Sequence, residues 1–358
     1  MPLYINPDFR RLPSGIAGAF VSNRESFFQL PAWYDLMTRC GVPPGTETRV
    51  YTDERACSAT AVLLRSPADR DGRGLESLTN AHSLEHRIHH GSGADLQSAL
   101  AGIASEIISE RPPWDCLILS DLDPREPSYA AFAGALRRAG LLVECSFSSG
   151  TWYEETAGLS FADYLAARPS ELRNTWRRKR RKLQETNRLA KRFFFADDTD
   201  IDQAITDYRT VYDASWKPAE FFPAFVPALI RLAAELKALR LGIYYLDGIP
   251  AATQLWIVWN GRAFICKLAH DRRFDALSLG TILTMDMFER VLGEDRPREI
   301  NLGRGDDPYK KMWLPKRRER WGIAAANPRT LRGLRLGLRR QAAAIYHRLR
   351  REGVPRFG

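Results

Sequence analysis

The sequence predicts an α/β (α+β) protein of two domains, each a mixed, mostly antiparallel sheet flanked by helices. Three observations carry this reading. A chain of 358 residues exceeds what one ordinary core accommodates. The first 150 residues alternate strand-like apolar runs with segments of helical period. Further on, Asp247-Gly248 and Asn260-Gly261 separate apolar runs and specify a three-stranded antiparallel meander.

The elements follow in order. The first 30 residues read as irregular, and residues 31–40 then place Trp33, Leu36 and Met37 on one helical face. Strand candidates lie at 48–52, 58–65 and 75–79, with the polar turn PADRDGRG at 67–74. Leu96, Leu100, Ile103, Ala104, Ile107 and Ile108 recur at helical spacing. A strand at 116–119, a helix at 129–139 closed by Gly140 and a strand at 141–145 complete a domain over 1–150. The second domain, 151–326, opens with a strongly basic helix over 160–189 and amphipathic helices over 201–216 and 225–239. The meander strands run over 240–246, 249–259 and 262–269. A polar loop at 270–275, a helix at 279–292 and a strand at 298–302 follow. Residues 327–358 read as a basic amphipathic helix, with Leu331, Leu334, Leu338, Ile345 and Leu349 near helical spacing.

Composition narrows the function classes. No run of about 18 apolar residues occurs, so no transmembrane helix is expected, and the N-terminus lacks a signal-peptide pattern. Five cysteines, widely spaced and without a CxxC pair, suggest neither a disulfide framework nor a zinc site, and fit a reducing cytoplasm. The net charge of +10 is uneven: residues 329–358 hold nine Arg and one Glu, or +8, leaving about +2 elsewhere. A general affinity for nucleic acid is therefore not expected. His82, His86, His89 and His90 cluster, but without cysteine or a metal-binding helix pattern they read as a His-rich loop, and no metal is expected.

Four pieces of the second domain form a recognisable series. Ser170-x-x-Arg173 leads into Trp176-Arg177-Arg178-Lys179-Arg180-Arg181-Lys182-Leu183. Ser215-Trp216-Lys217 is followed at a distance by Arg240-Leu241-Gly242. Lys267-Leu268-Ala269-His270-Asp271 precedes Ser278-Leu279-Gly280 at a helix start. The last piece runs from Asn301-Leu302-Gly303 through Asp306 and Tyr309 to Trp313. In this order they resemble the CelD/FemAB-like branch of the GNAT acyltransferases (acetyltransferase domain type 6). The resemblance implies tandem GNAT-like domains, the first degenerate, and acetyl-CoA or another acyl-CoA as donor. Relatives commonly carry Ser-Pro-Gly where this chain has Ser278-Leu279-Gly280.

The chemistry of acyl transfer assigns candidate roles. Backbone N–H groups of Ser278, Leu279, Gly280 and Thr281 at a helix start can face the donor's pyrophosphate; the plain alternative is an ordinary N-cap at Ser278. Thioester aminolysis needs a proton acceptor for the amine and a proton donor for the leaving thiolate. By position in the family pattern Tyr309 is the candidate acid and Asp306 the candidate base, unless the aspartate only shapes a turn. Lys267 and Lys310 can orient an anionic group, Asp271 can hold an amine, and Trp216 with Lys217 can line the acceptor side. A surface ion pair for Lys267 and a core position for Trp216 are the plainer readings.

The expected function is transfer of an acyl group to an amine or hydroxyl acceptor, by resemblance an amino sugar or a cell-envelope polysaccharide precursor. The alternatives are a FemAB-type transferase using aminoacyl-tRNA and a catalytically inactive binding protein at the membrane. The basic stretch 329–352 offers contact with an anionic membrane surface.

Overall fold

The structure is a computed structural model that describes residues 2–21, 25–54, 59–67, 73–186, 188–195 and 200–352, excepting side chains at 14, 15, 21, 186, 341 and 343–352. Cys57, much of the turn at 67–74, and the side chains of Ile345 and Leu349 thus lie outside the described residues. The chain divides into two compact units: Met1–Arg24, Phe28–Ser149 and Glu319–Gly358 form unit 1, and Glu25–Phe27 with Gly150–Arg318 form unit 2.

In unit 1 the chain runs through β1 (Leu3–Ile5), α1 (Ser14–Val21), α2 (Pro31–Cys40), β2 (Glu47–Asp53), β3 (Thr60–Ser66), β4 (Gly74–Ser77) and β5 (His89–His90). It continues through α3 (Leu96–Ser109), β6 (Cys116–Leu122), α4 (Pro127–Arg138) and the first part of β7 (Leu142–Glu155). Strands β1, β2, β3 and β4 pair antiparallel in sequence order, and β4 pairs β6 in parallel. Leu100, Ile103, Phe132 and Leu136 of the two long helices bury themselves against Leu64, Leu75 and Leu119 of the sheet. Helix α2 starts at a proline and buries Trp33, Leu36 and Met37, the face its spacing predicts.

Unit 2 holds the rest of β7, α5 (Phe161–Ala166), α6 (Ser170–Thr186), β8 (Leu189–Phe194), α7 (Ile201–Asp213) and α8 (Phe225–Glu235). Then come β9 (Leu239–Leu246), β10 (Ile249–Trp259), β11 (Arg262–His270), α9 (Leu279–Arg290) and β12 (Glu299–Arg304). Its sheet order is β7-β12-β11-β10-β9-β8. The turn residues Asp247, Gly248, Asn260 and Gly261 all have positive φ, as two-residue hairpins of this twist require. The core is an aromatic stack: Phe288 of α9 lies 4.3 Å from the ring of Tyr164 and 6.0 Å from that of Trp313, with Trp256 edge-on at 5.0 Å.

Four features differ from the sequence expectation. The basic helix over 160–189 is two helices, α5 and α6, parted at Pro169, because proline disfavours the α conformation in the residue before it. β1, α1 and β8 lie where no regular element was expected. Strand β13 (Lys316–Ala326) was also unforeseen, and Ile323 and Ala325 pair with Leu119 and Leu117 of β6. That pairing returns residues 319–326 to unit 1, whereas sequence pattern alone keeps them in the second domain. Residues 327–358, set apart above, also fall in unit 1, where α10 (Leu331–Glu352) begins.

Candidate functional site

Strands β11 and β12 are parallel neighbours over only three residue pairs, from Arg262 opposite Glu299 to Phe264 opposite Asn301. β11 runs on to His270 without this partner, so the two strands part within unit 2. Cys266 is the extra residue of a bulge, since Ile265 faces Trp256 while Lys267 faces Leu255 on β10. The bulge replaces the simple alternation expected for Lys267. Burial pushes the Cys266 thiol up, so it is not a thiolate nucleophile at neutral pH.

The turn after β11 leads to the start of α9. Ser278 has φ 57° and its side chain makes no capping hydrogen bond, so the ordinary N-cap reading fails. The helix start therefore keeps its positive end uncapped by a side chain. A Cβ on Gly280 would lie 3.2 Å from His270 Nδ1, and that buried nitrogen has no hydrogen-bond partner among the described residues. His270 Nε2 lies 2.9 Å from Asp275, and Trp216 packs on the ring at 4.5 Å. From α6, Lys179 donates to the carbonyl of Ala276 at 2.5 Å and so braces the same turn. An uncapped helix start, a glycine that leaves the backbone open and an orphaned buried nitrogen fit a phosphate-bearing donor.

Beyond β12, the segment 305–313 is held from below. Tyr164 donates to the Trp313 carbonyl at 3.1 Å, Arg168 donates to the same oxygen, and Arg168 pairs with Glu154 at 2.9 Å. Buried Lys310 donates to the carbonyl of Arg304 at 2.7 Å, which fixes the turn, and burial lowers its pKa. Tyr309 is 44% exposed; partial burial and the Asp307 carboxylate push its hydroxyl up and keep it protonated at neutral pH.

Asp306 receives Arg317 of β13 through two bonds of 2.7 and 2.6 Å. Those bonds hold its carboxyl below the usual range, which makes it a weaker base than the sequence role requires. Asp271 is buried and accepts three bonds from Arg273, at 2.8, 2.9 and 2.6 Å, so its carboxylate is spent on the turn rather than free for an amine.

Lys217 stands apart. Burial first, and then the charge of Lys267, lower its pKa to about 8, with Lys310 lowering it and Glu220 and Asp307 raising it. Lys267 pairs with Glu220 at 2.7 Å, in a position only 15% exposed on both sides, so it is not the surface pair of the plain reading. Lys217 has no ion pair among the described residues. Trp216 is 49% exposed and stands beside it, with the ammonium 5.8 Å from the ring centre, rather than in the core. Three lysines, Glu220 and Asp307 thus interact electrostatically in one place. Glu220 and Arg317 carry no motif that assigns them here: their partners are 47 and 11 residues away in sequence.

The family model described as an acetyltransferase (GNAT) domain matches residues 170–311, the span that holds the lysine cluster and the start of α9. That span is similar to GNAT acetyltransferase domains. Solved structures share the fold. FemX shares 9% identity and a TM-score of 0.55, with 90% of this chain and 97% of that one covered. L-PGS from Bacillus licheniformis shares 9% identity and a TM-score of 0.52, covering 92% and 96%. A conserved protein of unknown function from Bacteroides thetaiotaomicron shares 12% and 0.56, covering 91% and 99%. No curated protein matches the sequence significantly. Among the described residues no group of three or more His, Cys, Asp or Glu is placed to hold a metal ion. His86 instead is buried and bonds the Ser120 carbonyl at 2.8 Å, while His89 packs against Phe20 and Tyr34.

Proposed function

We propose that unit 2 moves an acyl group from acyl-CoA, acetyl-CoA among them, to an amine or hydroxyl of an anionic acceptor. The observation that carries this is the parting of β11 from β12 beside the uncapped start of α9. When bound, the donor supplies the activated acyl carbon. Backbone N–H groups of Ser278, Leu279, Gly280 and Thr281 would hold its phosphates. Lys217, whose pKa near 8 leaves a neutral fraction at physiological pH, accepts the proton of the attacking group. Tyr309 returns a proton to the leaving sulfur as the C–S bond breaks and the new C–N or C–O bond forms. Asp306 and Arg317 position this edge.

The lysines favour an acceptor with a carboxylate or phosphate, in keeping with a cell-envelope or polysaccharide precursor. Leu331, Leu334 and Leu338 are 79%, 38% and 55% exposed on α10 beside Arg332, Arg335 and Arg339, which supports contact with an anionic membrane surface, such as the inner face of a cytoplasmic membrane. Exposed Arg177, Arg178, Arg181 and Lys182 on α6 favour aminoacyl-tRNA as the second reading of the donor. Thiol release from acetyl-CoA, screened against amines and amino sugars, tests the first reading. Lys217→Gln and Tyr309→Phe should each lower the rate by roughly 100-fold; unchanged rates in both would refute these roles. Steeply salt-dependent tRNA binding without acyl-CoA turnover would favour the second reading.

A further inference from the structure

Unit 1 contains a pocket of about 270 Å3 away from any residue used above for acyl transfer. Its floor is strand backbone and small side chains: Gly74 of β4, Cys116 to Ile118 of β6, and Ala324 to Ala326 of β13. Its wall is α10, through Arg332, Leu336 and Arg340, and Arg73 closes the rim. The pocket lies where the parallel strands β4 and β6 begin, at Gly74 and Cys116, and therefore at the opposite end from a donor site built on the unit 2 plan.

The wall is fixed by close packing. A Cβ at Gly333 would come within 2.2 Å of the Asn327 carbonyl oxygen and 2.6 Å of that of Asp115. Only glycine lets α10 approach so closely, and Gly337 meets Leu142 and Ala326 in the same way. Arg332, Leu336 and Arg340 lie four residues apart and so share the next face of the helix. The exposed leucines 331, 334 and 338 occupy another.

The charges in the pocket are unbalanced. Arg73 packs over Trp114 at 4.3 Å, and its buried Nε has no hydrogen-bond partner among the described residues. Arg332 is exposed and has no ion pair among the described residues. Arg340 has Glu144 at 3.6 Å. Asp115 is the one acid lining the pocket, and its carboxylate is engaged by the Arg73 backbone N–H at 3.0 Å. Three guanidinium groups over an apolar floor call for a ligand with an anionic head and an apolar body.

We infer that this pocket binds an anionic amphiphile, a phosphate or carboxylate head against Arg73, Arg332 and Arg340 with a short apolar chain over Ala324, Ala325 and Leu336. Calorimetry on the full chain with hexyl phosphate, inorganic phosphate and anionic vesicles tests this. Hexyl phosphate should bind at least tenfold more tightly than inorganic phosphate. Arg332→Glu, a change at an exposed position, should weaken it at least tenfold with an unaltered melting temperature. Leu336→Ser should weaken hexyl phosphate and not inorganic phosphate. Lys217→Gln should leave the binding unchanged, which separates this pocket from the lysine cluster of unit 2. If Leu336→Ser, off the leucine face, also abolishes vesicle sedimentation, the head is presented by a membrane lipid; if sedimentation survives while hexyl phosphate binding is lost, the ligand is a free molecule. Absence of hexyl phosphate binding, equal affinity for inorganic phosphate, or affinity untouched by Arg332→Glu would each overturn the inference.

Discussion

The two units carry the same strand–helix–strand device with opposite endings. In unit 1, β4 and β6 pair in parallel over three residues and α3 joins them; in unit 2, β11 and β12 do the same with α9 between. At the start of α3 the carboxylate of Asp95 accepts the Ser98 N–H at 3.2 Å. At the start of α9 Ser278 sits in the left-handed region and caps nothing. An aspartate satisfies the helix end and repels an anion, whereas an uncapped end with a glycine in its first turn attracts one. Likeness of fold does not transfer the capping of the helix start. One helix start is finished by its own side chain, and the other is uncapped, which on the proposed function leaves it for a ligand.

Substitutions at matching positions can break this contrast. Gly280→Val adds bulk 3.2 Å from His270 Nδ1 and should weaken acyl-CoA binding by roughly 100-fold, about 3 kcal/mol. Gln97→Gly, at the matching position of α3, should leave it unchanged; equal losses would erase the distinction. Lys267→Met sharpens the site itself. Removing this cation, which lowers the Lys217 pKa, and freeing Glu220 both favour charged Lys217. The rate should rise with pH through about 8 in the parent, and the variant's limb should move up by roughly one unit. A pH profile that stays in place would remove Lys217 as proton acceptor. The smallest effect is on stability: Asp95→Ala should cost about 1 kcal/mol as a lost cap, and Ser278→Ala only a few tenths, read by urea denaturation.

The meander was legible because its information is local: each hairpin is written in two adjacent turn residues. Helix α9 and the turn at Ser278 were likewise visible as a pattern. β13 was not, because KRRERW at its start reads as a charged loop and its identity as a strand comes from pairing with residues two hundred positions earlier. The same holds within the site. Tyr309, Lys310, Lys217 and Lys267 could be named from the sequence, but whether a carboxylate is free depends on its partners. Arg317 occupies Asp306 and Arg273 occupies Asp271, and neither pairing has a sequence signature. The depressed pKa of Lys217 is equally a product of assembly, since it takes burial and a second lysine fifty residues away.

The central claim is that the uncapped start of α9 holds the phosphates of an acyl donor. Calorimetric titration of acetyl-CoA into the parent and into Ser278→Asp tests it most directly, because the change gives α9 the acidic residue that α3 already has. The account predicts saturable binding by the parent and a loss of at least 30-fold, about 2 kcal/mol, in the variant. Binding of equal strength in both proteins would contradict it.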